Sequence, residues 1–190
     1  MTNLQNPTFE ASDFREINPR DLVIWSDESL LVIKKPSGLP SLQDGYNPGA
    51  VYLVELLKTI FNPLWVVHHL DKVTSGVMVF ARLKLTHQVL NTQFEKRQAF
   101  KVYHAIVIGN PSWVNITVNL PLCPDGDRRH RTIIDMNSGK PSKTVLRVLE
   151  QFENLTMIEA LPRTGRTHQI RAHLAAEGLP IIFDLLYGTR

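Results

Sequence analysis

Apolar residues in this chain come in short runs cut by polar turns, and few of those runs carry a helical period. That pattern is the tightest constraint on the fold. LVIW and LLVIKK flank the four-residue turn SDES and read as a β-hairpin. KPSGLPS breaks the second strand with Pro36, Gly38 and Pro40, and residues 41–49 follow as a loop. LWVVHHLD reads as a strand running into a turn, and VMVFARL as a buried strand. FKVYHAIVIG alternates Phe100, Val102, His104, Ile106 and Ile108 on one face, the period of a strand. NITVNLPL, KTVLRVLEQ and LTMIEALP are further strands, and PIIFDLLYG is a short strand or turn. Three stretches read as helices. They are residues 50–60, then LTHQVLNTQFEKR with Leu85, Val89, Leu90 and Phe94 on one side, then THQIRAHLAAEG. Gly178 is placed as the left-handed cap of the last, and Pro180 prevents its continuation. Strands and helices do not alternate as βαβ units. The expected fold class is therefore α+β, a mixed, mostly antiparallel sheet with flanking helices.

Length allows one good core: residues 1–20 are expected as an extended arm and residues 21–190 as a single domain. Hydrophobic content of 43% and charged content of 21% exclude a largely disordered chain. A formal charge of +3 permits an acidic partner without requiring one. Cys123 is the only cysteine, which excludes an internal disulfide and any CxxC pair and suits a reducing compartment. The polar start MTNLQNPTFEASDFREINPRD has no secretory core, and no apolar run approaches the ~20 residues of a membrane helix. A cytoplasmic location without membrane association is expected. In the absence of an apolar surface stripe, so is a monomer.

Chemistry concentrates in three polar stretches. HHLDKVTSG, residues 68–76, sits between two apolar runs. Asp71 there is either a turn residue closed by Thr74 and Ser75 or a working carboxylate; an arginine beside it would keep it ionised. RTGRTHQIRAH, residues 163–173, puts Arg163 and Arg166 in the turn that opens a helix, where free N–H groups and the helix dipole favour anions. DGDRRHR, with Lys140 and Lys143 after it, suits nucleic-acid backbone or a solvated loop equally. A metal centre is not expected. His68 and His69 are adjacent, so they face opposite ways in a strand, and His168 and His173 are five apart, about 140° around a helix. GxGxxG, GxxxxGK[ST] and GxSxG motifs are all absent.

HHLDKVTSG resembles the HRLDxxTSG signature of the RluA-type RNA pseudouridine synthases. Four further blocks in the same order resemble that family: VIKKPSGLPS, QFEKRQAFKVYHAIVIG, SGKPSKT and LPRTGRTHQIRAHLAAEGLPIIFDLLYG. Together they span roughly residues 30–188 and look most like the small members that lack an S4 domain. The resemblance implies the pseudouridine synthase fold. The implied activity is an isomerisation of specific uridines in ribosomal RNA, transfer RNA or both, without cofactor or metal. Uracil leaves the sugar, turns, and rejoins through C5. On the matching positions, Asp71 is the catalytic aspartate, Tyr103 packs against the base, Arg166 pairs with the aspartate, and Ile170 lines the base pocket. Thr74 belongs to the same signature. Arg128, Arg129 and Arg131 are expected to contact RNA phosphates and offset the cost of flipping the base, roughly a few kcal/mol.

The chain departs from the family pattern in four places. His69 replaces an arginine that fills the gap left by the flipped base, from which weaker or pH-sensitive RNA engagement is expected. Lys34 stands in place of asparagine. Phe183 stands in place of a glycine, where a turn needing positive φ would be disturbed. After YGTR the family continues into further strands, so the C-terminal part is expected to be missing. Two alternatives stay open: a catalytically impaired RNA-binding or RNA-chaperone homologue, and a small hydrolase using Asp71 as base.

Overall fold

Asp27 sets the first turn. Its Oδ1 accepts the backbone N–H groups of Ser29 and Leu30, each at 2.7 Å, and the Ser29 hydroxyl at 3.0 Å. Those bonds hold the carboxyl below the usual aspartate range, the Leu30 amide contributing most. The strands on either side are β1 (Val23–Ser26) and β2 (Leu30–Lys35), paired antiparallel as expected from the sequence. The structure is a computed structural model describing residues 14–43, 45 and 47–188; the first thirteen residues of the expected arm, and Thr189 and Arg190, lie outside the described residues. The chain divides into two compact units, Met1–Gln98 and Ala99–Arg190.

The first unit adds α1 (Leu53–Lys58), β3 (Trp65–Val66), β4 (Gly76–Ala81) and α2 (Lys84–Glu95). Its sheet runs β1-β2-β4-β3, every pair antiparallel. Leu31 lies opposite Phe80 and Ile33 opposite Met78, all four fully buried, and Leu53 and Leu57 of α1 belong to the same buried set. Strand alternation then places Lys35 on this inward face, opposite Gly76, and it is 1% exposed. The α2 helix departs from its sequence expectation. Leu85 and Val89 are exposed, and the half-buried side is His87, Leu90, Asn91 and Phe94. Two ring contacts select that side: His68 stacks on Phe94 with centroids 4.8 Å apart, and Trp65 on His87 at 6.3 Å.

The second unit contains β5 (Tyr103–Ile108), β6 (Asn115–Val118), β7 (Leu122–Cys123), β8 (Ile133–Ile134), β9 (Thr144–Gln151), β10 (Leu155–Pro162) and α3 (Gln169–Ala176). Its larger sheet runs β5-β10-β9-β6, again antiparallel throughout, and β7 pairs with β8 in a small ribbon that the sequence reading did not separate. Val107, Val118, Leu146, Ile158, Ala160, Leu174 and Leu179 form its core. On β5 the inward side is Tyr103, Ala105 and Val107. The alternating set noticed in the sequence, including Ile106 and Ile108, is the outward side. The α3 helix ends as expected: Gly178 has φ +73°, its N–H reaches Ala175 O, and Leu179 N–H reaches Leu174 O at 2.9 Å. Phe183 adopts φ +59° with its ring exposed, so the position does need the left-handed conformation that a phenylalanine adopts only with strain. The architecture is α+β with antiparallel sheets.

Candidate active site

The turn that carries Asp71 is closed by Thr74 N–H donating to Asp71 O at 3.0 Å. Asp71 is half-buried, His69 exposed and Thr74 half-buried. The preceding His68 is structural: its Nε2 accepts Val79 N–H at 3.0 Å while its ring stacks on Phe94. What holds the turn is the KPSGLPS loop. Ser41 Oγ donates to Leu70 O at 2.6 Å and accepts Leu70 N–H at 3.2 Å. Gly38 N–H donates to Lys72 O at 2.9 Å, and Ser37 Oγ to Val73 O at 2.7 Å. Gly38 has φ +88°, a conformation that glycine adopts without strain. The loop is itself anchored on α1, because Leu53 N–H donates to Pro40 O and Val54 N–H to Ser41 O.

Lys35 closes this cradle from inside. Its ammonium donates to Pro36 O at 2.9 Å, Leu39 O at 2.7 Å and Lys72 O at 3.0 Å. Burial pulls Lys35 from its ordinary 10.5 down to about 8, and the charge of Asp71 pulls the other way. A positive charge is therefore present near Asp71 at neutral pH. The residues on both sides of the carboxylate are pinned at their backbone carbonyls, which makes the Asp71 turn a fixed platform.

In the second unit the RTGRTHQ corner is built on β9 and on Gln169, the first residue of α3. Arg166 N–H donates to Gln169 Oε1 at 3.0 Å, and Gln169 N–H donates back to Arg166 O at 3.1 Å. The Arg166 guanidinium reaches Pro141 O at 3.4 Å, and its buried Nε meets no acceptor among the described residues. A Cβ on Gly165 would come within 3.3 Å of Lys101 Nζ, and burial holds that lysine below its ordinary range. Arg166, Lys101 and the opening turn of α3 thus meet at one corner, a cationic site suited to anions. Tyr103 and Ile170 both pack against the core of this unit.

The DGDRRHR loop is more ordered than a solvated loop need be. Asp127 accepts Arg131 N–H, Arg131 Nε–H and Arg129 N–H, and these bonds, the Arg131 amide foremost, hold its carboxyl below the usual range. Arg129 donates to Leu185 O at 2.7 Å and Arg131 to Leu186 O at 3.3 Å, while Arg128 is exposed. The segment they grip is fixed by Arg171, which makes two bonds to Asp184 at 2.7 and 2.9 Å and lies over the Tyr187 ring. Two of the three expected phosphate-binding arginines thus also hold the structure together.

Sequence reading assigned no role to Lys35, Ser41, Gln169 or Thr144 and weighed His173 only against a metal site, although all five lie inside the blocks quoted above. Lys35 is also marked by strand alternation, as the third inward position of β2. Among the described residues no cluster of three or more His, Cys, Asp and Glu could hold a metal ion, and no helix is long and apolar enough to cross a membrane.

The family model described as RNA pseudouridylate synthase matches residues 29–176. Ribosomal large subunit pseudouridine synthase C of Vibrio vulnificus is 38% identical over 175 residues, which cover 90% of this chain and 54% of that protein. Dual-specificity RNA pseudouridine synthase RluA of Vibrio parahaemolyticus is 35% identical, over 88% of this chain and 69% of that protein. The chain therefore spans about half the length of the first relative and rather more of the second. Among solved structures, human RNA Pseudouridylate Synthase Domain Containing 4 superimposes with a TM-score of 0.76 at 27% identity, over 90% of this chain and 71% of that one.

Proposed function

Since the chain belongs to the RNA pseudouridylate synthase family, we propose that it isomerises uridine in RNA through Asp71. The N1–C1′ bond of the target uridine breaks. The uracil turns and C5 bonds to C1′; C5 then gives up its proton and N1 gains one, so atoms and charge balance. Asp71 serves at the sugar, as nucleophile or as the base that assists detachment. Arg166 supplies positive charge to the reaction, Tyr103 packs on the base and Ile170 borders it. Thr74 keeps the Asp71 turn closed, and His69 fills space beside the flipped base. Arg128, Arg129 and Arg131 contact phosphates. The RNA is ribosomal, transfer or both, the protein works as a cytoplasmic monomer, and the chemistry uses neither metal nor cofactor.

The observation that carries this reading is the cradle around Asp71. A β-turn is often closed by a single i→i+3 hydrogen bond. Here Leu70, Lys72 and Val73 are each bonded to a single neighbouring loop, and a buried ammonium sits within reach of the carboxylate's charge. Such fixation suits a group whose position must be accurate before substrate arrives.

The test is incubation of the chain, and of its Asp71→Asn variant, with unmodified transfer and ribosomal RNA, followed by carbodiimide labelling and primer extension. A new pseudouridine that needs Asp71 supports the proposal. Bound RNA with no product, in both proteins, replaces it with an RNA-binding role.

A further inference from the structure

Behind the Arg166 turn lies a buried polar network that the reaction as proposed does not use. Thr144 and His173 are fully buried, Gln169 is 4% exposed and Thr164 8%. Leu120 O can only accept, so the proton of His173 is on Nε2, donating at 3.0 Å. Burial holds His173 below its ordinary value against the opposing effect of that carbonyl, which leaves the ring neutral at pH 7. Its Nδ1 then carries a lone pair and takes the Thr144 hydroxyl proton at 2.8 Å. The Thr144 oxygen in turn accepts Gln169 Nε2–H at 2.9 Å, and the second amide proton goes to Lys143 O at 3.0 Å.

The Gln169 amide is thereby oriented, and its Oε1 must face the other way. There it accepts Thr164 Oγ–H at 2.7 Å and Arg166 N–H at 3.0 Å, while Thr164 Oγ accepts Lys143 N–H at 3.0 Å. Lys143 O also receives Arg163 N–H at 2.9 Å. Turning the amide over would set its N–H groups against the Arg166 N–H and strand the oxygen against Lys143 O. One proton arrangement satisfies every group, and it terminates on the backbone of Arg166. At the same corner His168 stands at φ +51° without a side-chain cap for α3. The turn therefore depends on this network and not on an ordinary helix cap.

We propose that the His173–Thr144–Gln169 chain is a positioning device that fixes the Arg166 turn for the reaction, with Thr144 and Gln169 as positioning residues. This rests on the role given to Arg166 above. Thr144→Val keeps the side-chain shape and removes the hydroxyl, leaving His173 Nδ1 without its donor and Gln169 Nε2 without its acceptor. Thr144→Ser keeps the hydroxyl.

Two measurements on the full chain decide the matter. The first is amide hydrogen exchange at Arg166 and Arg163. Thr144→Val should speed it at least ~10-fold, a loosening of more than about 1.4 kcal/mol, while Thr144→Ser stays near the parent. The second is single-turnover pseudouridine formation at saturating protein. Thr144→Val should slow it ~10- to 100-fold with RNA Kd changed less than about twofold, and Thr144→Ser should restore it. In an Arg166→Ala background, Thr144→Val should cause no further slowing, which a general loss of stability would not reproduce. Unchanged exchange at Arg166, or an equal slowing in both backgrounds, overturns the proposal. If the parent forms no pseudouridine, the proposed function fails by itself. Exchange at Arg166 then still decides whether the network fixes the turn.

Discussion

Lys35 allows a prediction in which stability and activity move in opposite directions with pH. The group is charged below about 8 in the folded chain, while in an unfolded chain it keeps its proton to about 10.5. Between those values the unfolded state binds more protons, so folding stability rises with pH. The gap of roughly 2.5 units corresponds to at most about 3–4 kcal/mol gained across that window, and less once screening by nearby solvent is counted. The proposed activity is expected to run the other way. Above about 8 the ammonium that donates to three carbonyls becomes an amine with two N–H groups, and positive charge near Asp71 is lost. Lys35→Met isolates both effects. At pH 7 it takes a donor from the Pro36 and Leu39 carbonyls, at ~1–3 kcal/mol each. It also relieves the burial of charge, so the net loss should be small, about 0–3 kcal/mol. As pH rises to 10.5 the variant should fall behind the parent by a further ~2–3 kcal/mol. Urea unfolding followed by tryptophan fluorescence at pH 7, 8, 9 and 10 reads the difference directly. Pseudouridine formation by the parent should decline over the same range, and the variant should lack that decline. A stability difference that stays flat from pH 7 to 10 would refute the assignment of a buried, weakened ammonium.

Three further outcomes are expected. Asp184 is pushed up by burial, but the bonds and charge of Arg171 and the Leu186 and Tyr187 amides outweigh this and hold it below the usual range. Its stabilisation is therefore complete above the unfolded value of about 4 and lost as pH falls through the lower folded value. Asp184→Asn should be less stable at pH 7, by ~3–5 kcal/mol, with the gap closing on acidification; equal acid-unfolding curves would contradict this. Arg128→Ala should reduce the salt slope of RNA binding by ~0.7–0.9 without changing stability, whereas Arg129→Ala should also loosen the Leu185 segment, as read by hydrogen exchange. His69→Arg should tighten RNA binding, because the arginine reaches further and carries a permanent charge with several donors for phosphate; an unchanged RNA affinity would exclude a role for this side chain in binding.

How much of this was legible depended on whether the physical cause was local. The β1–β2 hairpin, the Gly178 cap and the antiparallel strands rest on period-two alternation and turn chemistry within a few residues, and they were read correctly. Of the expected apolar side of α2, Leu90 and Phe94 are half-buried while Leu85 and Val89 are exposed, because the packing is chosen by rings that lie elsewhere in the chain. Trp65 and His68 select His87 and Phe94, and hydrophobicity alone favours Leu85 and Val89. On β5 the sequence shows the alternation but not which face is covered, because both faces of that strand are apolar, and only the register against Ile158 and Ala160 decides it. At the site the same division holds. Asp71 and the arginine-rich corner stand out as polar groups among apolar runs. What fixes them does not, because Ser41 is 29 residues from Leu70, and Thr144 is 25 from Gln169 and 29 from His173. Lys35 lies between these cases. Counting along LLVIKK by twos from the buried Leu31 and Ile33 lands on a lysine, and a charge at an inward position demands partners. That demand is readable from the strand alone, while the identity of the carbonyls that meet it becomes visible only when the KPSGLPS loop folds back over the Asp71 turn.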